Sequence, residues 1–566
     1  MGCSAGQGQR NAVLQPVTNE ADSAQSRARG AQRAEKKLKI TSAAPLGALA
    51  RLVEPPPLSS AFHRGRREAL RQLLPAHGVA VLFAAPPRLL AADVDYPFHQ
   101  DPDFYYLTGL REPGAVLLLF ADPQPSPAAG GPPITEQLYV RSRDALDEQW
   151  NGGRLGPEGA ARTLGFGRVL PAADFVRRPP DLTRFARVCF LPLLPGEEGR
   201  DTPADSTELT DLHRAFRRAA SIPADFNGPR EQTYARFRAW GEARPERLVR
   251  WLNRFISANP ALITDPHLRA WAGETNAKKR AAVLQHVPPP GRPDVFSLEN
   301  ALDELREIKQ PEELALLRYA IDATVVGHRE ALRALAPDKS EADLDGIQQH
   351  VFRHYHTRAD GYWPIVGAGA NGCVLHYIDN NRPQLGAELV VMDVAAAYAG
   401  YTADVTRTAP ADGAFSAEQC MIYELVLRAQ EAGIRECRAG RDFFAPNLAA
   451  QKIIGEGLVK LGLISSADSV RRYFPHGTSH YLGLDVHDRG SYGPLRPGAV
   501  ITVEPGIYIP PHSPCDPKWW GIGCRIEDDI LITEQDPENL SVGVPRTSAE
   551  IEQLIAEPSG LDGWLK

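Results

Sequence analysis

Four acidic side chains interrupt stretches of sequence that are otherwise apolar and typical of β-strands. Asp393 follows "LVVM", Asp404 lies in "TADVTRT", Glu504 follows "AVITV", and Glu527 lies within "GIGCRIEDDILIT". A buried carboxylate is costly unless it is paired or coordinated. Four converging carboxylates would also repel one another, and bound divalent cations would remove that repulsion. The pattern therefore predicts a site for a pair of divalent cations.

A histidine-rich segment, "HGTSHYLGLDVHD" at residues 476–488, lies between the second and third of these carboxylates. It holds three of the 15 histidines of the chain. It is not an HExxH zinc motif, because Gly477 stands where that motif requires Glu. Oxygen ligands with one imidazole suit Mn²⁺, Co²⁺ or Zn²⁺. Two such ions ~3.5–4 Å apart can lower the pKa of a shared water and stabilise an oxyanion.

A competing motif is the glycine-rich "GAGANG" at residues 367–372, followed 21 residues after Gly372 by Asp393. This spacing mimics a dinucleotide-binding fingerprint, which needs a helix directly after the glycines. The residues that follow, "CVLHYIDNN", predict a strand and a turn instead. We therefore interpret Asp393 as a metal ligand and not as a ribose contact.

The elements that must position these residues form an α/β pattern. "FHRGRREALRQLL" predicts an amphipathic helix, "VAVLFAA" and "AVLLLF" predict buried strands, and residues 121–133 predict a loop between strands. Residues 388–410 predict a β-hairpin with "YAGY" at its turn, which brings Asp393 and Asp404 onto adjoining strands. Arg525 precedes Glu527 by two residues, so on one strand both side chains would face the same side.

Four regions divide the chain. Residues 1–60 predict a flexible N-terminal tail, and 61–195 predict an α/β domain. Residues 196–300, with three Trp among many Arg and Glu, predict a helical insertion or linker region, followed by a region over 301–555 that holds the carboxylates and the histidine-rich segment. The start "MGCSAG" offers Gly2 for myristoylation but Gly6 where Ser or Thr is preferred, so we expect an ordinary N-terminus.

The overall composition of the chain restricts the classes of partner and the cellular setting that we expect. A net charge of −7 and a pI near 6.1 give no basic footprint for nucleic acid. No apolar run reaches the ~20 residues of a membrane span. The seven cysteines are an odd number without a CxxC pair, which argues against a disulfide framework and predicts a reducing, cytoplasmic setting.

With these residues in place, the chain resembles the Xaa-Pro aminopeptidases (aminopeptidase P) of the pita-bread metallopeptidases, family M24. The motifs that carry the resemblance are "GANGCVLHY", "MDVAAAYAGYTADVTRT", "HGTSHYLGLDVHD", "TVEPGIY" and "GIGCRIEDD", within residues 360–535. A looser likeness covers 61–195 through "DYPFHQDPDFYYLTGLREP". The resemblance implies an α/β (α+β) fold, with a creatinase/aminopeptidase-P-like α/β domain before a pita-bread catalytic domain.

The resemblance also implies a metal-ligand set. Asp393 would chelate one metal, Asp404 and Glu527 would bridge the pair, and His480 and Glu504 would complete the second metal. The cofactor would be two divalent ions, with Mn²⁺ preferred over Co²⁺ or Zn²⁺. A hydroxide bridging them would be the nucleophile, and Glu504 would carry its proton towards the leaving amine.

Further roles follow from the resemblance alone. His376 and His487 would contact the substrate and steady the tetrahedral intermediate, and His476 would help to wall the proline pocket. Arg525 would orient a ligand carboxylate. Tyr362 and Tyr508 would line the substrate pocket. Trp150 would be offered to the site by a neighbouring subunit of a homodimer or homotetramer.

The implied activity is release of the N-terminal residue from peptides whose second residue is proline. A prolidase, which cleaves Xaa-Pro dipeptides only, is the alternative that shares the fold and the five ligands. A methionine aminopeptidase is less favoured, because those chains generally lack so large an N-terminal domain. A catalytically weak binding module that uses the 196–300 region is a further alternative, and the intact ligand set argues against it.

Overall fold

The computed structural model describes residues 52–561 except for short gaps. The gaps are 93, 127–128, 193–207, 242–247, 250, 253–255, 257–258, 275 and 358–360. The expected flexible tail and the "MGC" start lie outside the described residues, apart from 52–60. That last part is not free: Leu52 packs on the hydrophobic core of the C-terminal half, and Glu54 accepts a hydrogen bond of 2.8 Å from the Tyr398 hydroxyl.

The N-terminal region is built on a six-stranded sheet whose strands are, from one edge to the other, Val169–Pro171, Ile134–Val140, Val116–Gln124, Gly78–Phe83, Arg187–Phe190 and Pro293–Asp294. Its first helix, α1, caps on Ser59, whose side chain accepts from the Phe62 amide, and it buries Phe62 and Leu70. The predicted helix and both predicted strands are confirmed, although β4 runs four residues into the predicted loop. The elements are α1 Ser60–Leu73, β1 Gly78–Phe83, β2 Leu89–Ala91, β3 Val94–Asp95, α2 Pro102–Thr108, β4 Val116–Gln124, β5 Ile134–Val140, α3 Ala145–Asn151, α4 Gly156–Leu164, β6 Val169–Pro171, α5 Ala172–Arg177 and β7 Arg187–Phe190.

The described part of 196–300 is mainly helical, with its own apolar cluster around Phe237, Leu252 and Trp271. One short strand from this region, β8, pairs in parallel with β7 and so extends the N-terminal sheet. The domain boundaries at residues 195 and 300 stay predictions. The elements are α6 Leu209–Ala219, α7 Gly228–Trp240, a 3₁₀ turn at Pro260–Thr264, α8 Pro266–Gly273, α9 Ala277–Leu284, β8 Pro293–Asp294 and α10 Ser297–Glu307.

In the C-terminal half, long helices pack around short antiparallel sheets. Its first long helix begins with Pro311 at N1 and a capping box between Gln310 and Glu313. The elements are α11 Pro311–Ala334, α12 Glu341–His354, β9 Ile365–Ala368, β10 Leu389–Asp393, β11 Ala397–Tyr398, β12 Tyr401–Thr402, β13 Thr406–Pro410, α13 Ala417–Glu436, α14 Ala445–Lys460, β14 Val500–Val503, β15 Gly506–Ile509, β16 Ile522–Arg525, β17 Asp528–Leu531, β18 Glu538–Asn539 and α15 Ser548–Ile555.

The predicted hairpin is present. β10 pairs antiparallel with β13, with Asp393 opposite Thr406, and β11 and β12 form its tip around the "YAGY" turn. β10 also pairs with β9 on its other edge, so the Asp393 strand is central in a three-stranded sheet. An acidic residue at the end of a central strand is thereby held rigidly and away from bulk water.

Two local predictions differ from the structure. Glu527 lies not within a strand but in the break between β16 and β17, so Arg525 and Glu527 are not on one continuous strand. Residues 374–381, which follow the 3₁₀ turn Gly369–Cys373, form a turn and irregular chain, without the predicted strand. No α-helix follows the "GAGANG" glycines, so the phosphate-binding feature of a dinucleotide site is missing from this described segment.

Among the described residues, no helix combines the length and the apolar character that crossing a bilayer requires.

Candidate metal centre

Three predicted ligands meet at one point between the sheets of the C-terminal half. One side-chain ligand atom each from Asp404, His480 and Glu527 lies within 4.8 Å of the others. Asp404 stands just before β13, Glu527 stands between β16 and β17, and His480 lies in the loop that precedes β14. Three separate segments thus present an imidazole and two buried carboxylates to a shared space.

The orientation of His480 is set by its backbone neighbour. Its Nδ1 donates to the Tyr481 carbonyl oxygen at 3.0 Å, which leaves Nε2 as the atom that faces the carboxylates. Nε2 lies 3.2 Å from Asp404 Oδ2 and 3.7 Å from Glu504 Oε1. A backbone acceptor on one ring nitrogen and a free lone pair on the other is the usual arrangement of a metal-binding histidine.

The electrostatics show how much negative charge this space concentrates. Burial, and then the neighbouring charge of Asp404, raise the pKa of Glu504 to about 7. Burial and the charges of Asp404 and Glu504 raise the pKa of Glu527 well above its ordinary value. Burial opposes protonation of His480, yet its contact with Asp404 raises its pKa to about 9. The cluster therefore favours the arrival of positive charge.

Asp393 joins the cluster through two polar partners. The hydroxyl of Tyr362 lies 2.5 Å from Asp393 Oδ1 and 2.8 Å from Asp404 Oδ1, between the two carboxylates. Arg525 donates from Nη2 to Asp393 Oδ2 at 2.5 Å. Burial and the adjacent carboxylates raise the pKa of Tyr362 well above its ordinary value, so it remains a protonated donor.

Arg525 continues this chain of contacts towards the histidine segment. Its Nη1 donates to the Tyr508 hydroxyl at 2.9 Å. That hydroxyl lies 2.8 Å from His476 Nε2, while His476 Nδ1 lies 2.7 Å from the Gly477 carbonyl oxygen. Since Nδ1 faces an acceptor, it carries the hydrogen and Nε2 accepts from Tyr508. Burial lowers the pKa of His476 to about 4, which keeps this ring neutral.

Several residues that the sequence did not single out fix the ligands in place. Thr406 donates from its hydroxyl to Glu527 Oε2 at 2.6 Å and lies 3.2 Å from Arg525 Nε. The buried Asp529 accepts from the Asp404 amide at 3.2 Å. Thr406 follows Asp404 by two residues, so strand periodicity could have placed both on one face. Asp529 offered no comparable signal, because it stands in an acidic run.

The remaining predicted site residues lie further out. The ring centroids of His487 and His480 are 4.3 Å apart in an edge-to-face arrangement, and His487 is exposed. His376 is also exposed, and its charge contributes to lowering the pKa of His476. Trp150 on α3 is 87% exposed. The structure thus places His487 against the ligand His480, and leaves His376 and the tryptophan exposed.

The donor set fits a pair of divalent cations. Asp393, Asp404, Glu504 and Glu527 supply up to eight carboxylate oxygens, and His480 adds one imidazole nitrogen. Such oxygen-rich sites suit Mn²⁺, Co²⁺ and Zn²⁺ and do not select thiophilic metals. The raised pKa values of Glu504 and Glu527 are those of carboxylates that are held together and need a cation to share.

Comparison with known proteins agrees with this geometry. Residues 315–534 match the model of metallopeptidase family M24, and residues 63–187 match that of the aminopeptidase P N-terminal domain. The chain is 32% identical to a Xaa-Pro aminopeptidase of Escherichia coli over 87% of its own length and 97% of the relative. This chain belongs to the aminopeptidase P family. It is a metal-dependent aminopeptidase, a hydrolase of the M24 metallopeptidases.

Further relatives support the same assignment. A Xaa-Pro aminopeptidase of Haemophilus influenzae is 30% identical over 87% of this chain and 96% of its own. The solved structure of aminopeptidase P from E. coli with the inhibitor Pro-Leu aligns with a TM-score of 0.66 at 31% identity. That alignment covers 88% of this chain and 99% of the other. The predicted fold, an aminopeptidase P N-terminal domain before a pita-bread catalytic domain, is confirmed, and the family implies divalent metal ions.

Proposed function

We propose that this protein releases the N-terminal residue from peptides whose second residue is proline. The observation that carries the proposal is the convergence of Asp404, His480 and Glu527, with Glu504 and Asp393 beside them, in a chain that also has the aminopeptidase P N-terminal domain. Two relatives that the chain matches over 87% of its length are named Xaa-Pro aminopeptidases. Mn²⁺ is the proposed ion.

The five ligands divide into bridging and terminal positions. We assign Asp404 and Glu527 as the bridging carboxylates, Asp393 as a ligand of one metal, and His480 and Glu504 as ligands of the other. The central position and burial of Asp404 and Glu527 support the bridging assignment. When bound, the cations would supply an activated water and polarise the scissile carbonyl.

Glu504 has the properties of the proton carrier. A carboxylate beside an activated water can accept its proton and release it again to a leaving group. Its Oε1 faces His480 at 3.7 Å and its Oε2 lies 3.5 Å from His476 Nδ1. We propose that it takes a proton from the attacking water and passes it to the leaving proline nitrogen.

His487 and His376 are both exposed, and the His487 ring lies against that of the proposed ligand His480. We propose that His487 and His376 hold the substrate carbonyl region and the tetrahedral intermediate by hydrogen bonding. His476 and Tyr508 form one wall of the proline pocket in this proposal, with Arg525 behind them holding Asp393. A proline at the second position lacks an amide N–H, so a pocket wall of rings suits it better than a hydrogen-bond acceptor does.

We propose, from the family resemblance, that Trp150 is offered to the site by a neighbouring subunit. It lies on α3 beside Leu146, and these two side chains are 87% and 76% exposed. We propose a homodimer or homotetramer in which this face meets another copy. Light scattering of the purified protein would test this, and a monomer at micromolar concentration would contradict it. The cytoplasmic location stays a prediction, based on the cysteine pattern; the six described cysteines are free thiols.

Substrate length is the experiment that tests the proposed function. The Mn²⁺-loaded protein is given a Xaa-Pro dipeptide, a Xaa-Pro-Yaa tripeptide and a matched Xaa-Ala-Yaa tripeptide, and released amino acid is quantified. We expect the Xaa-Pro tripeptide to be cleaved with the highest kcat/KM. Exclusive cleavage of the dipeptide would identify a prolidase instead, and equal cleavage of the alanine peptide would remove proline from the specificity.

A further inference from the structure

A buried ion network connects the N-terminal domain to the histidine segment of the site. Arg306, at the end of α10, has a side chain only 2% exposed. Its Nη1 donates to Asp103 Oδ1 on α2 at 2.7 Å. Its Nη2 donates to Asp485 Oδ2 at 2.9 Å and also to Asp488 Oδ1. One guanidinium thus joins the N-terminal domain to the two aspartates on either side of His487.

Two further cations complete the network. Lys309 donates to Asp488 Oδ2 at 2.9 Å, with both side chains at most 2% exposed. Arg489 pairs with Asp103 at 2.7 Å. Burial alone would raise the pKa of Asp488, but Arg306 and Lys309 outweigh it and lower that pKa. The aspartate is therefore ionised and held by two cations.

Backbone hydrogen bonds of Asp485 and Asp488 close the chain between His480 and His487 into a loop. The Asp488 amide donates to the Tyr481 carbonyl at 2.8 Å, and the Gly483 amide donates to the Asp485 carbonyl at 3.1 Å. A Cβ at Gly483 would collide with the Asp488 carboxylate, so the loop is packed directly against the network. His480 begins this closed loop, and His487 lies at its other end beside Asp488.

A network of this kind is a poor means of stabilisation. Removing three cations and their partners from water costs several kcal/mol per ion, and buried pairs often add little net stability over apolar residues. What the network does provide is a fixed geometry. His487 stands between Asp485 and Asp488 in the chain, both aspartates pair with Arg306, and the His487 ring lies against that of His480.

We propose that Arg306 and Asp103 are positioning residues that hold His487 at the substrate side of the metal centre. Docking of the N-terminal domain then sets the geometry of the catalytic loop. This inference rests on the proposed Xaa-Pro aminopeptidase function and on the proposed role of His487. It gives a positioning role in catalysis to Asp103, which lies more than 370 residues from His487 in the sequence.

A double-mutant cycle tests the proposal. Asp103→Asn, His487→Ala and the double variant are compared with the unchanged protein by kcat and KM on a Xaa-Pro-Yaa peptide at saturating Mn²⁺. We expect Asp103→Asn to lower kcat about 10-fold or more, since small misplacements of a catalytic group are costly. In the His487→Ala background, the same substitution should have almost no further effect. Equal fold-losses in both backgrounds would overturn the proposal.

Controls separate positioning from folding. Arg306→Lys keeps the charge but cannot bridge three carboxylates, and it should reproduce the loss of kcat with native circular dichroism and unchanged bound metal. The matched variant Arg318→Lys alters an exposed arginine that makes two 2.7 Å bonds to Glu538, and it should leave kcat unchanged. Unfolding of both Asp103→Asn and Arg306→Lys would overturn the proposal, because the network would then serve folding alone.

The outcomes also distinguish this inference from the function on which it rests. If the unchanged protein does not cleave Xaa-Pro peptides, the proposed function fails. If it does cleave them, and His487→Ala is impaired while Asp103→Asn and Arg306→Lys are fully active, the positioning inference alone fails.

Discussion

The Nε2 atom of His480 lies 3.2 Å from Oδ2 of Asp404. The other ring nitrogen of His480 donates to the Tyr481 carbonyl, so a neutral ring would point its lone pair at a carboxylate oxygen. The nitrogen lone pair and the carboxylate oxygen are both hydrogen-bond acceptors, so they repel each other unless a positive charge lies between them. A proton can supply it, and so can a divalent cation, which would also relieve the repulsion from Glu527 and Glu504.

The first prediction concerns the proton carrier. Glu504→Gln keeps the size of the side chain and can still offer one oxygen ligand, but it cannot accept and release a proton at neutral pH. We expect kcat to fall by about 10²–10⁴-fold at saturating Mn²⁺, the usual contribution of general acid–base catalysis. Steady-state kinetics on a Xaa-Pro-Yaa peptide, with circular dichroism of the variant, measures this.

A matched control is Glu534→Gln, which alters an exposed glutamate and should leave kcat unchanged. Turnover of Glu504→Gln within a few-fold of the unchanged protein would remove Glu504 from its proposed role.

The second prediction concerns Arg525. Its guanidinium holds Asp393 at 2.5 Å and the Tyr508 hydroxyl at 2.9 Å, and a lysine ammonium cannot make both contacts in the same geometry. We expect Arg525→Lys to weaken Mn²⁺ binding by about 10–100-fold, the usual cost of losing a partner that orients a metal ligand. Titration of Mn²⁺ into metal-stripped protein measures the binding constant.

Arg143→Lys serves as the comparison for Arg525→Lys, because Arg143 is an exposed arginine that pairs with Glu148 and not with a proposed metal ligand. Unchanged Mn²⁺ affinity in Arg525→Lys would show that Asp393 is held in place without the guanidinium.

The third prediction concerns stability at low pH. Burial lowers the pKa of His63 from its ordinary 6.5 to about 4, with Arg67 and Arg111 acting in the same direction. Its Nδ1 lies 2.9 Å from the Tyr106 carbonyl oxygen, and its ring meets Tyr105 edge-on. Below pH 6.5 the unfolded chain binds a proton that the folded chain refuses until about pH 4. The contribution of His63 to stability is therefore present at neutral pH and lost as the pH falls.

Denaturant unfolding at pH 7 and pH 5 tests this. The unchanged protein should lose about 2 kcal/mol of unfolding free energy over that interval from His63 alone. In His63→Asn, whose amide can still donate to the Tyr106 carbonyl, that part of the loss should be missing. An equal pH dependence in both proteins would show that His63 titrates normally in the folded state.

The local part of the site could be predicted from the sequence. Asp393 and Asp404 were predictable because an acidic residue in an apolar strand is unusual, and because a hairpin turn fixes which residues are opposite. The place of Glu527 was predicted less well. "GIGCRIEDDILIT" is typical of a single strand. In the structure the strand is interrupted between Arg525 and Asp528, and Arg407 donates to the Glu527 carbonyl in that interruption.

The long-range part could not be predicted from local patterns. Arg306 stands in an ordinary helical segment, and its partners Asp103 and Asp488 lie 203 and 182 residues away. Asp485 and Asp488 resemble spare metal ligands in sequence, yet in the structure they pair with Arg306. Leu52 and Glu54 were predicted to belong to a flexible tail, and only their contacts with the C-terminal half show that they are held.

The fourth prediction is the measurement that tests the central claim most directly. The protein is stripped with a chelator, dialysed, and reloaded with increasing Mn²⁺, and bound metal per chain is measured beside hydrolysis of a Xaa-Pro-Yaa peptide. We expect no hydrolysis without metal, and activity that rises with occupancy towards two ions per chain. Full activity in protein that holds no metal would contradict the account.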